Sequence, residues 1–152
     1  MSDSLETSLR DRRIESFVME RAQIEKHVQS AFLDLKEARA VFTVSDKAAY
    51  LFAYTAMLKI GRALLFLKGY RPRGEGQHDT VVKVAGAILG EKYEILTHQF
   101  SRMRQKRNKL IYDIGGLVSH AEAEKAFHGA EEYVQKVRRF MEQQDPQLKF
   151  EL

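Results

Sequence analysis

The stretch DKAAYLFAYTAMLKIGRALLFLK, residues 46–68, decides the fold. Apolar side chains surround it on nearly every face, which is typical of a helix enclosed by other elements rather than one lying on a surface. Ser45 suits the N-cap position, where a hydroxyl accepts a hydrogen bond from a free backbone N–H. Gly69 suits the position just after the helix. The sequence therefore predicts a central, largely buried helix over residues 46–68.

On either side of this helix, apolar residues spaced three and four apart predict further helices. We expect a long first helix over residues 7–40, although Arg21 interrupts its apolar stripe. A short helix over 80–89 would be capped by Asp79 and closed by Gly90, and residues 70–78 between it and the central helix indicate an exposed, mobile loop.

Two more helices complete the predicted layout. The first spans residues 91–113 and turns five apolar side chains toward the core: Leu96, Phe100, Met103, Leu110 and Ile111. The second spans residues 120–143 and begins at a capping box formed by Ser119 and Glu122. Strand alternation is absent, so the prediction is an all-α, up-and-down bundle of four to five helices. We expect one domain over 1–152, with residues 1–6 and 145–152 outside the bundle.

Composition narrows the class of protein. The chain has 152 residues, of which 44% are hydrophobic and 30% charged, so it is neither a disordered segment nor a membrane protein. The best apolar run, 48–67, is broken by Lys59 and Arg62, and the polar N-terminus does not resemble a signal peptide. These features favour a cytoplasmic protein. With no cysteine and five scattered histidines, we expect no metal site and no cofactor.

The net charge is +4, and its distribution is more informative than its total. Residues 102–113, RMRQKRNKLIYD, carry five cations in eight residues: Arg102, Arg104, Lys106, Arg107 and Lys109. On a helix, Arg102, Lys106 and Lys109 share an outer face, which is either simply solvated or contacts nucleic acid. Arg71, Arg73 and His78 in the preceding loop are further candidate nucleic-acid contacts.

Arg107 is the exception in this segment, because it falls at the centre of the apolar stripe. A buried guanidinium is costly unless it is paired. Its partner is an acid from another helix, a second subunit or a bound anion, or else the side chain extends to the surface. A phosphate suits the planar donor fork of arginine.

Several features together resemble the HEPN domain family. They are the aromatic central helix (Tyr50, Tyr54) running into Arg62, Gly69-Tyr70 before a polar loop, and RNKLIYD at residues 107–113 late in a following helix. The resemblance of layout spans nearly the whole chain. It implies a helical homodimer, and for many members a metal-independent ribonuclease that acts as a toxin paired with a minimal nucleotidyltransferase antitoxin.

The family signature is an Arg, then a polar residue, then a His four to six residues after the Arg. Arg107 and Asn108 match the first two positions, and Tyr112 stands where the His would be. A neutral imidazole accepts a proton well near pH 7, whereas a phenol with a pKa near 10 is ionised only to about one part in 10³. Asp113 is then either a substitute base or an acid at the helix end. The candidate catalytic residues are thus Arg107, Asn108, Tyr112 and Asp113.

Helical geometry adds a requirement for a second chain. Arg107 and Tyr112 are five residues apart, hence about 140° apart around a straight helix, so one helix does not aim both at one phosphate. A two-fold dimer that packs this helix against its copy brings Arg107 of one chain beside Tyr112 of the other. We therefore expect an RNA- or nucleotide-binding homodimer, a candidate ribonuclease with Tyr112 in place of the usual His. The alternative is a non-catalytic helical adaptor that binds a nucleotide or docks a protein.

Overall fold

The computed structural model describes residues 2–150 and 152, with side chains from residue 5 onward. The protein is mostly helical (74%), with six helices packed together and a minor two-stranded sheet within the described residues. The elements in chain order are α1 (Ser2–Arg10), β1 (Ile14–Ser16), α2 (Arg21–Val41), α3 (Asp46–Leu67), β2 (Tyr70–Pro72), α4 (Gln77–Leu89), a 3-10 turn (Glu91–Tyr93), α5 (Glu94–Tyr112) and α6 (His120–Gln144).

Helix α3 is the central element, as the sequence predicts. It packs against α2, α4, α5 and α6, and more than half of its residues are buried. Ser45 caps it by accepting a hydrogen bond from the Ala48 N–H at 3.1 Å, and Gly69 follows it with φ of +88°, a conformation that favours glycine. Its length and apolar composition would also allow it to cross a membrane, but the central helix of a bundle has the same properties.

The predicted single helix over residues 7–40 is wrong. The chain leaves α1 at Arg10, passes through Arg12 with φ of +56°, and forms strand β1 before α2 begins. β1 pairs antiparallel with β2, with Glu15 opposite Arg71. The i, i+3 spacing of Ile14 and Phe17 fits a helix equally well, and the pairing partner lies more than fifty residues away, so local periodicity could not reveal the strand.

The predicted loop over residues 70–78 is also partly wrong. Its first three residues are β2, so they are tied to β1 by backbone hydrogen bonds rather than mobile. Helix α4 begins at Gln77 after Gly76, not at residue 80. Asp79 therefore lies in the first turn of α4 instead of capping it, which leaves its carboxylate available to side chains from other elements.

The terminal segments contact the bundle, contrary to the prediction that they lie outside it. Leu5 of α1 packs on the core, and α1 lies against α4. In the C-terminal segment Leu148 is buried and belongs to the core. Ile111 is more exposed than predicted. Its side chain is 45% exposed, although the sequence pattern placed it in the core.

Helix α5 carries the basic segment, and its inner face matches the prediction except at Ile111. Leu96, Phe100, Met103 and Leu110 of α5 are buried. The capping box at Ser119 and Glu122 is present at the start of α6. The ring of Phe100 lies between two buried tyrosines, 5.8 Å from the ring centre of Tyr54 and 5.1 Å from that of Tyr133. This aromatic contact joins α3, α5 and α6.

We predict that Phe100→Ala lowers the free energy of unfolding by about 3–5 kcal/mol, because it removes a fully buried ring and leaves a cavity among three helices. Chemical denaturation followed by circular dichroism measures this change. Ile95→Ala, on the same helix but 84% exposed, is the control and should change stability by less than about 0.5 kcal/mol. Equal effects of the two substitutions would contradict the described position of α5.

Candidate functional site

Three arginines, a histidine and a tyrosine come together where α3, α4 and α5 meet. Arg62 and Tyr54 lie on α3, His78 in the first turn of α4, and Arg104 and Arg107 on successive turns of α5. All three arginines lie close enough for their charges to lower the pKa values of both Tyr54 and His78. We call these five residues the guanidinium cluster.

A hydrogen bond between Tyr54 and His78 lies at the centre of the cluster. The phenol Oη is 3.0 Å from Nδ1 of the imidazole, and either atom can be the donor, depending on the tautomer. Tyr54 is only 1% exposed, and burial raises its pKa to about 12 although Arg107, Arg104 and Arg62 oppose that change. The phenol therefore remains protonated at physiological pH.

His78 remains neutral at physiological pH. Burial lowers its pKa, and the positive charges of Arg107, Arg62 and Arg104 lower it further. A neutral imidazole among three guanidinium groups is an unusual surrounding for a histidine, since such a site repels protons and attracts anions.

The carboxylate nearest the cluster is already shared among several cations. Asp79 lies 2.9 Å from Lys83, 3.3 Å from Arg13 and 3.5 Å from Arg104. Burial tends to raise the pKa of Asp79, but Lys83, Arg104 and Arg13 together lower it below its usual range. One negative charge therefore meets three positive ones, and the surroundings of the cluster keep an excess of positive charge.

Arg107 and Arg62 have no carboxylate within 4.0 Å among the described residues. Both are partly buried, and burial lowers the pKa of Arg62. Arg107 donates one hydrogen bond from Nη1 to Oδ1 of Asn108, at 3.3 Å. Of the partners that sequence reasoning allowed for Arg107, an acid of its own described chain is not observed. A second subunit and a bound anion are the candidates that remain for a partner.

The other cations of α5 face a different neighbour. Arg102 and Lys106 line a cavity of about 280 Å³ between α5 and α6, together with Tyr50, Gln99 and Lys125. Lys106 also approaches Glu122 at 3.4 Å, and Lys109 is exposed. The basic segment therefore presents cations on two sides of one helix, and the two groups do not form one compact site.

Arg71 and Arg73, the candidate nucleic-acid contacts next to α4, both lie beside a carboxylate. The side chain of Glu15 accepts hydrogen bonds from both, at 2.7 Å and 3.4 Å, so their charge is partly offset across the small sheet. Arg71 also lies over the ring of Phe17, 4.6 Å from its centre. These contacts give both arginines a structural role in joining β1 to β2.

Tyr112 and Asp113 lie at the exposed C-terminal end of α5. Tyr112 is 74% exposed, and Asp113 is the C-cap residue. Arg107, by contrast, is partly buried, and its charge affects the pKa values of Tyr54 and His78. Tyr112 is exposed and close in sequence to three further exposed apolar residues: Ile111, Ile114 and Leu117.

Sequence reasoning missed two members of the cluster. Tyr54 and Arg62 were named only as features of the central helix. The ring of Tyr54 is buried, but its hydroxyl makes the hydrogen bond to His78. The charge of Arg62 within such an apolar helix was a signal that a polar neighbour or a ligand is needed. The scan of family models and the search of curated proteins find no match to this chain.

We predict that the protein loses stability when the pH falls from about 7.5 to about 5.5. The unfolded chain protonates histidine near its usual pKa of about 6.5. The folded chain resists protonation at His78 and at His27, whose pKa is lowered by burial and by Arg62 and Lys59. Stability is therefore greatest above the unfolded pKa and declines as the pH falls through it.

His78→Gln tests how much of this loss of stability at low pH is due to His78. The variant should show a smaller loss of unfolding free energy between the same two pH values, because one of the two histidines that resist protonation in the folded chain is removed. Chemical denaturation at a series of pH values provides the measurement. A decline as steep as that of the unsubstituted protein would show that His78 does not resist protonation in the fold.

Proposed function

We propose that this protein binds the phosphate groups of RNA or of a nucleotide at the guanidinium cluster. The observation that carries the proposal is the state of Arg107 and Arg62, which are partly buried and have no carboxylate within 4.0 Å in the described part of the chain. An anion would offset their charge, and guanidinium groups bind phosphate oxygens through paired N–H donors. His78 and Asn108 add polar groups beside Arg107.

RNA longer than a nucleotide would extend along α5. Arg102 and Lys106 at the cavity beside α6, and the exposed Lys109, supply positive charge for further phosphates. Such contacts position a nucleic acid without reading its sequence. A free nucleotide would need the cluster alone, so the dependence of affinity on ligand length distinguishes the two sources of phosphate.

The HEPN resemblance of RNKLIYD at residues 107–113 supports a more detailed version of the proposal. In that version the chain has the family's up-and-down arrangement, acts as a homodimer and cleaves RNA as a toxin paired with a nucleotidyltransferase antitoxin. The mostly helical fold agrees with this in general terms. The ribonuclease activity is a second candidate function, and the observation that favours it is a neutral histidine beside Arg107.

Homodimer formation is part of the proposal, and an exposed apolar patch supports it. The patch comprises Ile111, Tyr112, Ile114 and Leu117, at the end of α5 and in the loop before α6. Apolar side chains concentrated on a surface favour contact with a protein. A second copy of the chain at this patch would bring together the exposed C-terminal ends of the two α5 helices.

We predict that Arg107→Ala weakens binding of a single-stranded RNA 20-mer at least tenfold at 100 mM salt, because a charge-assisted phosphate contact is lost. The slope of log affinity against log salt should become shallower by about one phosphate contact. Fluorescence anisotropy at several salt concentrations measures both quantities, and ATP and AMP provide the comparison with free nucleotides.

Arg139→Ala is the matched control. Arg139 is exposed on α6 and lies far from the cluster. Its neighbour Phe140 contacts Tyr93, just before the start of α5, whereas Arg107 lies near the C-terminal end of α5. Unchanged affinity in this variant together with a loss in Arg107→Ala supports binding at the cluster. If both variants bind as the unsubstituted protein does, or if neither RNA nor nucleotide binds, the proposal is wrong and a protein-docking adaptor becomes the better description.

For the dimer, we predict that Ile114→Glu combined with Leu117→Glu converts the protein from a dimer to a monomer at micromolar concentration, because like charges then face one another across the two-fold axis. Size-exclusion chromatography with light scattering gives the mass. Ile95→Glu adds a charge at another 84% exposed apolar position and should leave the dimer intact. An unsubstituted protein that is monomeric excludes the proposed assembly.

A further inference from the structure

We infer that His78 is the catalytic base of RNA cleavage in this protein, accepting the proton of the RNA 2′-hydroxyl while Tyr54 holds its imidazole in position. The inference rests on the proposed binding of RNA at the guanidinium cluster and goes beyond it by assigning the base. His78 comes from α4, more than twenty residues before the basic segment of α5. It supplies the imidazole that the segment itself lacks at Tyr112.

The geometry of the Tyr54–His78 pair suits a base. Nδ1 is occupied by the contact of 3.0 Å with the phenol oxygen, whereas no described residue makes a hydrogen bond or an ion pair with Nε2. In the tautomer whose Nδ1–H donates to Tyr54, Nε2 carries a lone pair. The same donor bond persists when Nε2 accepts a proton, so the phenol orients the ring in both states. A third group that orients the base is common to many catalytic sites.

The charged and titratable groups that act on His78 lie on the helices packed beside it. Tyr54 and Arg62 lie on α3, and Arg104 and Arg107 on α5. On α4 itself the charged neighbours are Asp79 and Lys83, and Arg13 reaches Asp79 from the segment before β1. Without a ligand these surroundings disfavour the imidazolium. A bound phosphodiester offsets the guanidinium charges, so the ring becomes a better proton acceptor only when its substrate is present.

The reaction uses only RNA and this chain. Nε2 takes the proton of the 2′-hydroxyl as the 2′-oxygen forms a bond to the adjacent phosphorus. The bond from phosphorus to the 5′-oxygen of the next nucleotide breaks, and that oxygen takes a proton from the imidazolium or from water. The products are a 2′,3′-cyclic phosphate and a 5′-hydroxyl, with no change of oxidation state. Arg104 and Arg107 offset the added negative charge on the phosphate oxygens in the transition state.

The other titratable groups are poorer candidates for this task. Tyr112 and Asp113 lie at the exposed end of α5, and neither affects the pKa of Tyr54 or His78. His27 belongs to α2, where its ring packs against Phe66 with the ring centres 5.0 Å apart. Of these groups, only His78 is joined by a hydrogen bond to Tyr54 at the centre of the guanidinium cluster.

The experiment uses the full chain and a pool of random-sequence RNA 20-mers in EDTA, with a DNA pool of the same length as a substrate that lacks the 2′-hydroxyl. The unsubstituted protein should cut RNA, leave 2′,3′-cyclic phosphate ends and not cut DNA. His78→Gln should reduce the cleavage rate at least 100-fold, as expected for loss of a general base, while RNA affinity falls much less than it does in Arg107→Ala. His128→Gln, at an exposed histidine of α6, is the matched control and should cleave normally.

Tyr54→Phe tests whether the phenol positions His78. The measurement is the pH profile of cleavage, which a loss of stability alone does not shift. Its cleavage rate should fall about tenfold, and the acid limb of its pH profile should shift to lower pH, because the imidazolium loses an acceptor at Nδ1. An unshifted limb would show that the phenol acts only in packing. Thermal unfolding of each variant verifies that it is folded at the assay temperature.

The outcomes separate this inference from the proposed function. RNA that binds with the predicted dependence on Arg107 but is not cut overturns the assignment of His78 and leaves the binding proposal standing. RNA that is cut equally well by His78→Gln also overturns the assignment, and the base must then be sought elsewhere. If RNA neither binds nor is cut, both proposals are wrong.

Discussion

The structure depends on the need to cover helix α3 on all sides. Its apolar residues leave no face that can remain in water, so α2, α4, α5 and α6 all pack against it. The few polar side chains of α3 are consequently forced to find partners inside the bundle. Lys59 lies 2.8 Å from both Asp34 and Ser30 of α2, and Tyr54 pairs with His78 of α4. Arg62 has no such partner among the described side chains.

The same constraint concentrates positive charge at one place. Since α5 must turn Phe100, Met103 and Leu110 toward α3, the residues beside that stripe, Arg104 and Arg107, are carried toward Tyr54. Holding several guanidinium groups together costs free energy, and a single shared carboxylate only partly relieves it. Sites at which like charges accumulate are often functional, because a ligand of opposite charge recovers that cost on binding.

Much of the helical layout followed from the sequence, because its signals are local. The periodicity of α5, the caps at Ser45 and Ser119, and the glycines after α3 and α4 each act within one or two helical turns. The pairing of Ile14–Ser16 with Tyr70–Pro72 could not be predicted in this way, because it depends on two segments far apart in the chain and on the ion pairs of Glu15. Residue spacing indicated that Arg107 and Tyr112 point in different directions from α5. It could not show that His78 lies near Arg107, because that depends on how α4 packs.

The carboxylate of Asp79 links three regions that are remote in sequence: Arg13 ahead of β1, the start of α4, and Arg104 on α5. Each cation that leaves this junction allows the remaining ones to interact more strongly with the carboxylate. Detachment of the amino-terminal helix and strand would therefore draw Arg104 closer to Asp79 and reduce its availability to an incoming anion.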